Sequence, residues 1–135
     1  MKLSPHFDSA EFACKCGCGL SDPDPMLIFA LESLRVHLGK PVIVTSGCRC
    51  AAHNTAEGGA LHSQHVFGSA ADVRVKGMTA RGLYAEAAII SAFHGFGVDD
   101  ERGFLHVDVR DAPAKWCYRS GKQVLWYETP EVENA

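Results

Sequence analysis

A chain of 135 residues with 47% hydrophobic and 21% charged side chains suits one domain around one core. Its formal net charge of −3, with no basic stripe, argues against a nucleic-acid partner, because phosphate binding needs clustered Lys and Arg. No stretch approaches the roughly 20 apolar residues of a membrane span, and the opening Met1-Lys2-Leu3-Ser4-Pro5-His6 has no apolar run of a secretory leader, so cytoplasmic synthesis without a signal peptide is the expectation.

Taken in chain order, the first clear element is a helix from Met26 to Leu38. Asp24 is a good N-cap, Pro25 suits the first helical position, and Leu27, Ala30, Leu31, Leu34 and Leu38 share one stripe. Gly39 and Pro41 end it. The β-branched run Val42 to Ser46 predicts a strand. Gly47 to Ser63 reads as a long loop, of the kind that carries function in a compact domain. Ala70 to Val75 predicts a second strand, and Thr79 starts a helix expected to reach about Phe93 and stop at Gly95. Gly95 to Val98, Phe104 to Arg110 and Val124 to Tyr127 predict three more strands, the last at an edge. Strands and helices mix without a βαβ repeat. The expected class is α+β, a small antiparallel sheet flanked by helices, in one domain over residues 1–128 with a frayed polar tail over 129–135.

Alternate side chains of a strand point to opposite faces. On Ala70–Val75 one face carries Ala71, Val73 and Val75, and the other Ala70, Asp72 and Arg74. On Phe104–Arg110 one face carries Leu105, Val107 and Val109, and the other Phe104, His106, Asp108 and Arg110. If the two strands are neighbours, Asp72, His106 and Asp108 share a site, and Gly68 lets the preceding segment turn sharply enough to bring His65 over it. Two imidazoles and one carboxylate form a three-ligand zinc set whose fourth position is left to water, the pattern of a catalytic rather than a structural site. Such an ion lowers the pKa of its water toward about 7. The plainer reading makes His65 a loop residue and the aspartates solvated strand positions.

Several segments together resemble a known family. They are Phe7-Asp8-Ser9-Ala10-Glu11-Phe12, Ser46-Gly47-Cys48-Arg49-Cys50-Ala51-Ala52-His53-Asn54, Gly58-Gly59-Ala60, Ser63-Gln64-His65, Gly68-Ser69-Ala70-Ala71-Asp72 and Phe104-Leu105-His106-Val107-Asp108-Val109-Arg110. In combination they resemble the zinc D-Ala-D-Ala carboxypeptidases, a family that includes phage L-Ala-D-Glu endopeptidases and shares its fold with the hedgehog signalling domain. The N-terminal segment is similar to the small phage-encoded, endolysin-like branch. The resemblance implies His65, Asp72 and His106 as ligands of one catalytic Zn²⁺, and Arg49 as a substrate-binding residue, with Ser63 a second candidate near the site. It also implies hydrolysis of peptidoglycan stem peptides at the cell wall or periplasm after release, by a chain expected to be monomeric.

Many relatives carry an acid or a His three positions before the last ligand, and here that position is Gly103. Asp108 is then the first candidate for general base and Glu101 the second; Asp108 reads equally as the partner that orients a ligand imidazole. His53 and His62 read as loop imidazoles, and Trp116, Trp126 and Tyr127 as packing residues. Cys14, Cys16 and Cys18, with Cys48 or Cys50, are open to a second metal site, to disulfides or to inert thiols. Two rival readings remain at this level, a zinc-bearing binding module without hydrolysis and a structural zinc protein built on the cysteines.

Overall fold

The first helix shows how closely local chemistry dictates an element. In the computed structural model, which describes residues 1–59 and 63–126, α1 spans Pro25–Leu38. Asp24 Oδ1 accepts from Met26 N at 2.8 Å, and the Gly39 N–H closes the far end on Arg35 O at 3.0 Å. Leu27, Ala30, Leu31 and Leu34 are fully buried on its inner side, and each buried Leu stabilises the fold by at most about 1.5–3 kcal/mol.

Before α1 lie two short paired strands, β1 (Lys2–Ser4) and β2 (Phe7–Asp8), and a 3₁₀ turn over Ser9–Phe12. Asp8 and Glu11 form a reciprocal capping box on that turn. After α1 come β3 (Ile43–Ser46), the short helix α2 (Ala51–Ala56), β4 (Ala70–Arg74) and α3 (Ala80–Ala87). They are followed by β5 (Gly95–Asp99), β6 (Phe104–Asp108), β7 (Ala114–Arg119) and β8 (Lys122–Leu125). Strands β3 to β8 form one six-stranded sheet in the order β3-β4-β6-β5-β7-β8.

One face of the sheet is apolar. Ala71, Val73, Leu105, Val107, Val98 and Cys117 are buried there, with α3 packed on β5 and β6 and α1 against α3. On the other face the register sets two rows across four strands. Asp72 stands opposite His106, His106 opposite Gly97, and Gly97 opposite Trp116. Behind it, Ala70 pairs with Asp108, Asp108 with Gly95, and Gly95 with Ala114.

The α+β class agrees with the sequence reading, and several details differ. The sheet is mixed, because β5 and β7 run parallel. The chain leaves β6, passes the end of β5 and returns on its far side, fixed by bonds from Val109 N to Ser69 O and from Ala114 N to His94 O. The expected loop from Gly47 contains α2, whose six residues are too few to show an apolar stripe. Helix α3 stops at Ala87 instead of Phe93, because the chain tightens into three-residue turns (Ile90 N to Ala87 O, Phe93 N to Ile90 O) that bury Phe93 beside Phe96. Strand β7 had no counterpart in the sequence reading, and the edge strand predicted at Val124–Tyr127 runs over Lys122–Leu125. Tyr127, His62 and the tail at 129–135 lie outside the described residues.

Candidate metal centre

Strand pairing supplies two of the three donors at once. Asp72 and His106 face each other across β4 and β6. His65 arrives from the turn before β4. Gly68 takes the left-handed conformation there (φ +73°), and its carbonyl accepts from Asp24 N at 2.8 Å, which ties the turn to the start of α1. His65 Nε2 lies 3.1 Å, and His106 Nδ1 3.2 Å, from the same Asp72 Oδ1. One donor atom from each of the three residues falls within 4.8 Å of the others, and all three side chains are buried.

The remaining nitrogen of each ring decides what the inner one offers. His65 Nδ1 donates to Gly47 O at 2.8 Å, so Nε2 turns a lone pair toward Asp72. His106 Nε2 donates to Asp108 Oδ2 at 2.7 Å, so Nδ1 does the same. Two lone pairs and a carboxylate oxygen converging in a buried space repel one another unless a cation stands among them. The donor chemistry therefore fits a divalent metal, and N₂O ligation with each outer N–H held by a carbonyl or carboxylate is how zinc sites fix their imidazoles.

Electrostatics agree. Burial alone would raise the Asp72 carboxyl, but the charges and hydrogen bonds of His65 and His106 hold it well below the usual carboxylate range. Burial alone would lower His106, but its bonds to Asp108 and Asp72 outweigh that and raise it.

Asp108 is fully buried and wholly committed. Its Oδ1 accepts from Arg110 Nε at 2.8 Å, and its Oδ2 from Arg110 Nη2 at 2.7 Å as well as from His106. It lies across the His106 ring from Asp72, with both oxygens engaged by Arg110 and one also by His106. The Arg110 guanidinium stacks on the Trp116 ring, 4.9 Å from its centroid, and that ring lies 5.1 Å from His106. Gly95 and Gly97 make this possible. A Cβ at Gly95 would fall 2.1 Å from Asp108 Oδ1, and one at Gly97 would fall 2.5 Å from Trp116 Nε1.

The other expected residues divide. Arg49, at the start of the α2 loop, reaches the site with Nη2 3.4 Å from Asp72 Oδ2, Nε 3.3 Å from Ser46 Oγ and Nη1 3.4 Å from Asn54 Oδ1. Ser63 instead stays local, its Oγ accepting from His65 N at 3.2 Å to cap the turn. Glu101 is not brought to the site; it is exposed in the β5–β6 turn and accepts from Ser120 N at 2.6 Å. Gly103 occupies the left-handed position of that same turn (φ +75°), where a side-chain-bearing acid would be strained.

Two further side chains border the donor set. Trp116, read as packing, buries an Nε1–H with no hydrogen-bond partner among the described residues. The Tyr118 phenol, two positions along the same strand face, is pushed up to about 12, chiefly by burial, with the charge of Asp72 adding to it. Their available signal was the alternation of Gly95 and Gly97, which marks close approach of side chains from a neighbouring strand.

Two imidazoles and a carboxylate, with an arginine beside them on the polar face of an α+β sheet, could hold one metal ion. The chain belongs to the peptidase M15 family: the family model described as Peptidase M15 matches residues 5–108. No curated protein matches the chain. The matched segment holds Arg49, the three donors and Asp108, while β7 with Trp116 and Tyr118 lies beyond it.

Proposed function

We propose that the protein is a zinc metallopeptidase that hydrolyses peptide bonds in peptidoglycan stem peptides, as a D-Ala-D-Ala carboxypeptidase or an endopeptidase. The observation that carries this reading is the orientation of the two imidazoles, each with its outer N–H bound away so that both inner nitrogens face Asp72 Oδ1. His65 Nε2, Asp72 and His106 Nδ1 would hold the ion. When bound, Zn²⁺ supplies a Lewis acid that polarises a carbonyl and brings the pKa of water near neutrality.

The chain's own groups do the rest. Gly47 O and Asp108 fix the imidazole tautomers, and Arg110, braced on Trp116, holds Asp108. Arg49 makes only long contacts of 3.3–3.4 Å, so its fork is positioned yet free to take a stronger partner. A substrate carboxylate or the scissile carbonyl oxygen is that partner. Tyr118 keeps its proton at neutral pH and can donate it to a substrate oxygen, and Trp116 Nε1–H is a second donor beside His106. These groups oppose negative charge as it develops on the substrate oxygen. A cell-wall substrate puts the place of action at the wall or periplasm, in the manner of an endolysin.

Digestion of purified peptidoglycan tests this. Wild type should release a peptide or amino acid whose mass names the bond, and His65→Ala should lose both that product and metal from the site. A wild-type protein that binds zinc but releases nothing would overturn the hydrolytic reading for this substrate and leave a zinc-bearing binding module.

A further inference from the structure

Outside the centre just described, the described residues hold one other convergence of metal-ligating atoms. Cys14, Cys16 and Cys18 come from the segment between the 3₁₀ turn and α1, and Cys50 caps α2. Their four Sγ atoms all lie within 4.8 Å of one another. Cys14 and Cys16 are 3.5 Å apart, Cys16 and Cys50 3.7 Å, and Cys14 and Cys50 3.9 Å. A tetrahedron of thiolates at a Zn–S distance of about 2.3 Å has edges of about 3.8 Å. A disulfide needs about 2.05 Å. The observed separations bracket the first value and are far from the second.

We propose that Cys14, Cys16, Cys18 and Cys50 form a second metal site, a closed tetrathiolate that binds Zn²⁺ in a structural role. The backbone is arranged for it. Cys14 N donates to Leu20 O at 2.7 Å and Gly17 N to Cys14 O at 3.2 Å, folding the three cysteines into one tight loop. Amide hydrogens point at sulfur, from Cys50 N to Cys14 and from His53 N to Cys50, each at 3.4 Å. On binding, the thiol protons pass to solvent and four thiolates surround the ion. Cys48 is not part of the set; it is buried and its sulfur accepts from Asp22 N at 3.3 Å.

The site's place in the fold gives it a task. Cys50 directly follows Arg49, and the same short stretch contains Gly47, whose carbonyl fixes His65. Cys48 N also bonds Phe12 O at 2.9 Å. A metal joining Cys50 to the 14–18 loop would clamp the strand-to-helix segment that carries Arg49 to the N-terminal part of the chain.

Metal content and cobalt spectra of the full chain, purified under reducing conditions, test the site without reference to activity. Wild type should carry one more zinc per chain than the His65–Asp72–His106 set accounts for. His65→Ala should keep that ion, Cys16→Ser should lose it, and Cys48→Ser should keep it. The Co²⁺-substituted protein should show intense thiolate-to-metal charge-transfer absorption in wild type, His65→Ala and Cys48→Ser, but not in Cys16→Ser. Should Cys16→Ser fail to fold, thiol titration of wild type decides. The exposed Cys16 and Cys18 should resist a thiol reagent until a chelator is added. Immediate reaction of both, absence of the charge-transfer band in wild type, loss of the ion in Cys48→Ser, or a mass showing disulfides in the reduced preparation would each overturn the proposal.

Discussion

Replacing Asp108 by Asn separates two roles for this carboxylate, proton acceptor for the reaction and anchor for His106. The carboxylate accepts from Arg110 N, Nε and Nη2 and from His106 Nε2, and donates nothing. An amide must put an NH₂ group at one oxygen position. At Oδ1 it faces Arg110 donors; at Oδ2 it faces both Arg110 and the His106 N–H. In the second arrangement His106 relieves the clash only by moving its proton to Nδ1, which removes the lone pair from the donor set. Loss of an anchoring partner of this kind weakens metal binding by about 10–100-fold, or about 1.4–2.8 kcal/mol. The lost charge-assisted bond adds about 1.5–3 kcal/mol of destabilisation, visible as a lower melting temperature. Competition with a chromophoric chelator, read in the His65→Ala-sensitive phase, measures the affinity. If Asp108→Asn binds zinc as tightly as wild type and yet loses all peptidase activity, the anchoring argument fails and the carboxylate acts on the proton.

The remaining predictions concern the same face of the sheet. Gly95→Ala should destabilise the fold by about 1–3 kcal/mol in a denaturant melt and weaken zinc binding, because its Cβ meets the Asp108 carboxylate at 2.1–2.3 Å; an unchanged melt would contradict the packing described. Arg49→Lys should retain zinc while kcat/KM on stem peptides falls roughly 10²–10³-fold, as for a lost oxyanion donor; loss of the metal instead would make Arg49 a support for Asp72. Trp116→Phe keeps a ring under Arg110 but removes the Nε1–H, so zinc content should hold while kcat/KM falls about tenfold, near 1.4 kcal/mol; an unchanged rate would assign Trp116 to packing alone. His106 is raised in the metal-free protein, so its proton competes with the ion at pH values above the ordinary imidazole value of about 6.5. Zinc affinity should therefore already decline as pH falls toward that value, by up to about tenfold per unit for each proton displaced, and a flat profile across that range would contradict the coupling.

The sequence by itself determined what local chemistry controls. The capped and stopped helix at 25–38, the period-two faces of the strands at 70–74 and 104–108, and the His65, Asp72, His106 and Arg49 motif were all legible, because capping, alternation and ligand type are written in adjacent residues. So was the choice Asp108 posed between base and orienting partner. Only the tertiary structure shows on which side of the His106 ring the carboxylate lies and that Arg110 occupies it. It likewise placed Glu101 in a turn away from the donors, selected Cys50 over Cys48 for the thiol cluster, and laid Trp116 over Gly97. The last of these follows from strand order and register, above all the return of the chain past β5 to form the parallel strand β7. Contacts between residues distant along the chain set that path, and no local periodicity in the sequence encodes it.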